Sequence, residues 1–209
     1  MTGPAAPLVF IVDDDPSVRK SLARLVRAAR YDVETFASAR EFLARPRYDG
    51  PCCLVLDVRM PGLTGLELQE ALDAAGPGCP IVFITGYRDV RASVKAMKGG
   101  AIDFLTKPVN DRELLSAIER ALTKARQARR DRARTVEIQD RIKTLTPRET
   151  EVFALVVTGM LNKQIASELG VTEKMVKVHR ARVMGKMRAG SLAELVRLAD
   201  EGGVTSPRS

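Results

Sequence analysis

The sequence contains no tryptophan, a single histidine and three cysteines, and only 4% of its 209 residues are aromatic. No apolar run approaches the roughly 18 residues a membrane-spanning helix needs, which excludes that class of protein. Met1–Pro7 carries no basic segment ahead of the first apolar stretch, so no secretory signal is expected. Cys52, Cys53 and Cys79 fit no zinc-ligand spacing. Their odd number argues against a disulfide framework, so a reduced cytoplasm is the expected location. Neither a P-loop nor a Gly-x-Gly-x-x-Gly pattern occurs.

What is present divides along the chain. Hydrophobic content is an ordinary 45%, enough for a packed core, and the net charge is +8. Residues 1–123 hold 16 Lys and Arg against 16 Asp and Glu. Residues 124–143 hold 8 basic and 3 acidic residues, and residues 144–209 hold 10 and 7. All the excess positive charge therefore lies in the C-terminal part, which points to a polyanionic partner there. A solvated helix face is the plainer reading of charge alone.

The first 120 residues alternate strand and helix signals about five times, the βα repeat of a parallel sheet. Strands are expected at Leu8–Val12, Asp32–Phe36, Leu54–Leu56, Ile81–Ile84 and Ile102–Leu105. Asp15-Pro16 opens the first helix as N-cap and N1, and Leu22, Leu25, Val26 and Ala29 give it an apolar face. Glu41–Leu43 and Leu66–Leu72 mark the second and third helices. Asp89–Lys98 reads as the fourth, closed by Gly99-Gly100. Asn110-Asp111 caps the fifth, which meets no Gly or Pro before about Lys143. Leu115, Ile118, Leu122 and Ala125 continue its apolar spacing, and Val136 and Ile142 resume it after an Arg-rich gap. One long connecting helix is expected, able to pair with a second copy through a thin seam; a flexible basic linker is the alternative.

The last segment turns all-helical. Thr146-Pro147-Arg148-Glu149 is a capping box with Pro at N1, and Gly159 ends that helix. Asn162–Leu169 follows, stopped by Gly170. Thr172 caps a third helix running to about Met187, and Ser191-Leu192-Ala193-Glu194 opens a fourth as a second capping box. Short helix, glycine turn and longer basic helix form a helix-turn-helix pattern. The tail Gly202–Ser209 is expected to be disordered. The expected domains are residues 1–123, a basic helical linker 124–143, and residues 144–209.

Chemistry concentrates at strand ends. Asp13-Asp14-Asp15, Asp57, Thr85 and Lys107-Pro108 each follow or close an apolar run. Strand C-termini of an open parallel sheet converge on one crevice. The set suits holding a divalent cation and accepting a phosphoryl group. Adjacent carboxylates should raise one another's pKa unless a cation such as Mg²⁺ relieves them. Asp57 would be the oxygen nucleophile, with metal and Lys107 sharing the developing charge and Thr85 donating to a phosphoryl oxygen. Lys-Pro at such a place commonly takes a special peptide geometry, cis among the options. Singly, an Asp there is a cap, a Thr a strand former and a Lys a surface residue; the ordered set is what carries the reading.

Residues 8–120 resemble a two-component receiver domain. The resemblance rests on Val12-Asp13-Asp14-Asp15, Leu56 to Gly65, Ile84-Thr85-Gly86, Ala96 to Leu105 and Lys107-Pro108. It implies a flavodoxin-like, doubly wound five-stranded sheet with Asp57 as phospho-acceptor. It also implies Mg²⁺ held by Asp13, Asp14, Asp57 and the Arg59 carbonyl, with Thr85 and Phe104 as a switch pair and Lys107 binding the phosphoryl group. Without it, Phe104 reads as core. Residues 144–201 resemble the LuxR-type DNA-binding domain of the NarL/FixJ family, on Leu145 to Val152, Asn162 to Val171 and Thr172 to Met187. The whole arrangement is most similar to the FixJ branch, leaning toward an activator. Tyr87-Arg88 departs from the His-Gly common in that branch. A histidine kinase, promoter half-sites, RNA polymerase and a second copy on phosphorylation are the implied partners.

On the helix from Glu173 to Met187, Val176, His179, Val183 and Met187 share one inward face. His179 therefore reads as a packing residue rather than a metal ligand or base. Lys174, Lys177, Val178 and Arg182, on the other side, are the expected groove contacts. Asn162, Lys163, Thr172 and Lys186 are the expected phosphate contacts, with Arg180 in either set. Two rivals remain: an aspartyl-phosphate phosphatase, which wants an acid where Arg59 stands, and a constitutive DNA-binding protein whose first domain only oligomerises.

Overall fold

The computed structural model describes residues 6–75, 78–86 and 90–204. The expected departure at Tyr87-Arg88 and the end of the tail, residues 205–209, lie outside them, as does Asp89. Residues up to Arg129 form one compact unit and those from Arg130 a second.

In the first unit, β1 (Leu8–Val12), β2 (Asp32–Phe36), β3 (Cys52–Asp57), β4 (Ile81–Thr85) and β5 (Asp103–Thr106) alternate with α1 (Pro16–Ala28), α2 (Ala39–Ala44), α3 (Gly65–Ala74), α4 (Val90–Lys98) and α5 (Asp111–Lys143). The sheet order is β2-β1-β3-β4-β5, all parallel. β1, β3 and β4 are buried at every position, as unbroken apolar runs covered on both faces must be. Alternation sorts their side chains. Phe10, Leu54, Leu56 and Phe83 join the layer with Phe42, Leu68 and Ala96, whereas Ile11, Val55, Val82 and Ile84 join that with Val26, Leu114 and Ile118.

Caps fix where helices begin. Asp15 Oδ1 accepts from the Ser17 and Val18 amides at 2.7 and 3.3 Å, and Asn110 Oδ1 accepts from those of Arg112 and Glu113. Thr64 and Glu67 form an unanticipated capping box at α3.

α5 is continuous over 33 residues, so the helical connector is found and the flexible linker is not. Its buried positions differ in part from the expected ones: Leu114, Ala117, Ile118, Ala121, Leu122 and Ala125 are buried, with Leu115 half-buried. Further on, Ile138 is buried while Val136 is 49% exposed.

The second unit holds the end of α5 with α6 (Pro147–Val156), α7 (Asn162–Leu169), α8 (Glu173–Met187) and α9 (Leu192–Gly202). Ile138, Val152, Phe153, Ile165, Val176, Val183 and Leu195 share one core. The Thr146–Glu149 box forms as read. The second box forms only in half: Ser191 Oγ accepts from the Glu194 amide, but the Glu194 carboxylate takes the Gly190 amide instead of that of Ser191. Gly203 caps α9 and Val204 packs on the core, so the first part of the expected disordered tail is ordered.

The cysteines correct the reading drawn from their number. Cys52 and Cys79 are disulfide-bonded, with Cα atoms 5.2 Å apart, and Cys53 is free and buried. An odd count left one pair available, and the sheet brings the start of β3 beside the segment entering β4.

Candidate functional site

The chain reverses direction in the sheet order at β1, whose neighbours are β2 and β3. Ligands bind at the strand C-termini of such a switch point. Register sets Val12 opposite Leu56 and Asp57 opposite Ile84, so Asp13 and Asp57 leave adjacent strands side by side. The Lys107 amide donates to the Thr85 carbonyl at 2.7 Å, extending the β4–β5 ladder and carrying Lys107 to the same edge. The Lys107–Pro108 peptide is cis.

These positions bring the side chains together. Lys107 Nζ donates to Asp57 Oδ2 at 2.6 Å and to Asp13 Oδ2 at 2.7 Å. Asp13 and Asp57 are buried and Asp14 is exposed. One carboxylate oxygen from each of the three lies within 4.8 Å of the others. The third acid of the run, Asp15, is spent as the α1 cap, and hydrogen bonds from Ser17 and Val18 hold its carboxyl below the usual range. The Arg59 amide donates to Asp57 Oδ1 at 3.2 Å, which ties the backbone after β3 to the Asp57 carboxylate.

The Asp13 carboxyl is raised, and the chief cause is burial rather than the neighbouring Asp57. Hydrogen bonds from Lys107 and Asp15 oppose it. Burial would lower the Lys107 ammonium, but its bonds to the two carboxylates prevail and raise it. An all-oxygen, anionic and partly open set of this kind fits a hard divalent cation.

Thr85 closes β4 and is buried. Phe104 pairs with Phe83 in register, and their ring centroids are 6.2 Å apart. Phe83 and Thr85 share a strand face, so Phe104 is diagonal to Thr85 on that face. Phe104 is half-buried. Arg19 belongs to the site and was not expected there: its Nη1 donates to the Asp13 carbonyl at 2.6 Å. Its spacing from Asp15 is that of any first-turn residue, so the sequence holds no signal for it.

In the second unit, Gly170 takes a left-handed φ of 64° between α7 and α8, the turn that a helix-turn-helix needs. Val176, Val183 and Met187 are buried and His179 is half-buried, as the inward face requires. Lys174, Lys177, Val178 and Arg182 are exposed together on α8, and Lys163 is exposed on α7. Thr172 caps α8 through its hydroxyl. Arg180 Nη1 donates to Asn162 Oδ1 at 3.2 Å, so these two residues tie α8 to α7. The Lys186 ammonium is bound to the buried Glu149 at 2.6 Å and to the Thr144 carbonyl at 2.8 Å. It forms a structural ion pair inside this unit, with about a third of the lysine side chain (35%) still exposed.

The chain matches the response regulator receiver domain family over residues 9–119, and the luxR family of bacterial regulatory proteins over residues 143–199. The chain is a response regulator of the NarL/FixJ family. It is 47% identical over 199 residues to nodulation protein W of Bradyrhizobium diazoefficiens, covering 95% of this chain and 88% of that protein. It is 44% identical over 197 residues to the transcriptional regulatory protein FixJ of Azorhizobium caulinodans, covering 94% and 93%. Among solved structures, the response regulator StyR matches with a TM-score of 0.82 at 48% identity, over 94% of this chain and 100% of that one. Full-length FixJ from B. japonicum matches with a TM-score of 0.56 at 39% identity, over 97% and 99%. This response regulator is therefore a phosphorylation-dependent, DNA-binding regulator of transcription.

Proposed function

We propose that Asp57 accepts the phosphoryl group and that the modified receiver licenses α8 to bind promoter DNA. The observation that carries this reading is the Lys107 ammonium bridging Asp57 and Asp13 at one sheet edge. An Asp57 oxygen attacks phosphorus on a phosphohistidine of a partner kinase; the P–O bond forms as the P–N bond breaks. Lys107 neutralises a phosphoryl oxygen, and the Thr85 hydroxyl donates to another. Asp13, Asp14, Asp57 and the Arg59 carbonyl would hold Mg²⁺, which supplies charge neutralisation when bound. Thr85 and Phe104 then move as a coupled pair, changing the surface of α4 and β5. Pairing of two copies follows, and sets two α8 helices on two half-sites.

Lys174, Lys177, Val178 and Arg182 read the groove, while Lys163, Thr172 and Asn162 address phosphates and Arg180 braces Asn162. The proposed organisation is a receiver to residue 123, a helical linker 124–143, and a DNA-binding domain from 144. The protein is an activator of the cytoplasm that works with RNA polymerase and turns over no substrate of its own. Arg59 supports that last point, since an aspartyl-phosphate phosphatase needs an acid at its position. In the described residues no helix is long and apolar enough to cross a membrane.

Beryllofluoride, a phosphoryl mimic, tests the reading with Mg²⁺ on the full chain. The expected result is a shift from one copy to two with tighter DNA binding, both lost in Asp57→Asn. DNA binding indifferent to beryllofluoride would instead favour a constitutive binder with an inert first domain.

A further inference from the structure

The arginine-rich middle of α5 serves none of the chemistry above. Lys124, Arg126, Arg129, Arg130, Arg132 and Arg134 face a single acid in the same stretch, Asp131. All six cations are exposed. Toward the end of the helix the basic residues are neutralised: Arg134 pairs with Glu201, Arg141 with Glu137 and Lys143 with Asp140. Among the described residues no ion pair reaches Arg126, Arg129, Arg130 or Arg132.

Their spacing makes this arrangement costly. Arg126 stands three and four residues before Arg129 and Arg130, and Arg129 three before Arg132, so these guanidinium groups are neighbours on the helix surface. Like charges so placed destabilise a helix. A polyanion laid along this face would relieve the repulsion. Residues 126–135 contain no large apolar side chain, which leaves nothing to insert into a lipid surface or to form a coiled-coil seam.

We infer that Arg126, Arg129, Arg130 and Arg132 form a sequence-independent contact for the phosphate backbone of double-stranded DNA. The inference rests on the DNA-binding reading of the second unit. α5 enters that unit's core through Ile138 and Ile142, so the arginines ride on the same helix. Arg130 lies about 12 Å upstream of Ile138 at the rise of an α-helix. Once α8 engages DNA, α5 is tethered to the same duplex through its own chain, which raises the effective concentration of phosphates for its arginines. The contact adds affinity and carries no base specificity.

The test measures binding of mixed-sequence duplex DNA across a range of salt, with the full chain, Mg²⁺ and beryllofluoride. The comparison variant is Arg126→Gln/Arg129→Gln/Arg130→Gln/Arg132→Gln, since glutamine keeps helix propensity. The slope of log Kobs on log salt should flatten by about 0.9 for each phosphate no longer neutralised. Replacing the same four by lysine should restore it. The double variant Arg130→Gln/Arg132→Gln, a smaller perturbation of the fold, should give an intermediate slope. An unchanged slope in the glutamine variants overturns the inference while leaving DNA binding intact. A lysine variant that behaves like the glutamine one overturns it as well, because geometry rather than charge would then matter. A wild-type chain that binds no duplex sinks the DNA-binding reading, and this inference with it.

Discussion

The ammonium of Lys107 lies 2.6 Å from a carboxylate oxygen of Asp57, fifty residues away in sequence. The same nitrogen holds Asp13. Removing it leaves two buried carboxylates without their counter-charge. Lys107→Ala should destabilise the chain by about 1–3 kcal/mol, discounted for the partial exposure of the lysine. Mg²⁺ should recover part of that loss, and should stabilise the variant more than the wild type. Urea unfolding with and without Mg²⁺ measures both; a variant as stable as wild type in metal-free buffer would contradict the role.

Glu149 and Lys186 predict a pH dependence for the second unit. Chiefly the hydrogen bond from Lys186 brings the Glu149 carboxyl down from 4.5 to about 2, helped by the Thr146 amide. A carboxyl depressed on folding stabilises the fold above its unfolded value. That contribution is lost as pH falls from about 4.5 toward about 2. Glu149→Gln should unfold at lower denaturant at neutral pH and be weakened less by acidification. Parallel acid dependences of variant and wild type would refute the assignment.

Arg45 lies 4.2 Å from the centroids of both the Phe10 and Phe42 rings. It extends the aromatic group of Phe10, Phe36, Phe42 and Tyr48. Its charge and its apolar stem both contribute. Arg45→Ala should cost about 1–2 kcal/mol, and Arg45→Met should recover the packing share only. Chemical unfolding of the three chains separates the two parts.

Gly65 opens α3 against the backbone that follows Asp57. An added Cβ would meet the Asp57 carbonyl oxygen and come within 3.1 Å of the Val58 Cα, and neither atom belongs to a side chain that could swing aside. Gly65→Ala should therefore cost about 1–3 kcal/mol. It should also slow phosphorylation by a small phosphodonor, because β3 and its loop must shift. Wild-type rates in a folded variant would show that the loop yields freely.

The strand ends were readable because each closes an apolar run, and β2 and α8 keep their expected limits of Asp32–Phe36 and Glu173–Met187. The crevice followed, since an all-parallel sheet brings strand ends together whatever the loops do. Contacts that depend on where side chains travel were not readable. Lys186 looks like any basic residue of an exposed helix until Glu149, from another helix, is beside it. Cys52 and Cys79 gave no signal because pairing is decided by which segments the sheet sets side by side, here the start of β3 and the stretch before β4, not by count. Ile138 rather than Val136 is buried because Ile138 and Ile142, four residues apart, share the helix face that meets the second core.

Covalent labelling tests the central claim most directly. The full chain with Mg²⁺ is exposed to a small phosphodonor, and the modified residue is located by mass spectrometry in wild type and in Asp57→Asn. The account predicts one phosphoryl group on Asp57 in the wild type and none in the variant. Equal labelling of both chains, or a label on another residue of the wild type, would contradict it.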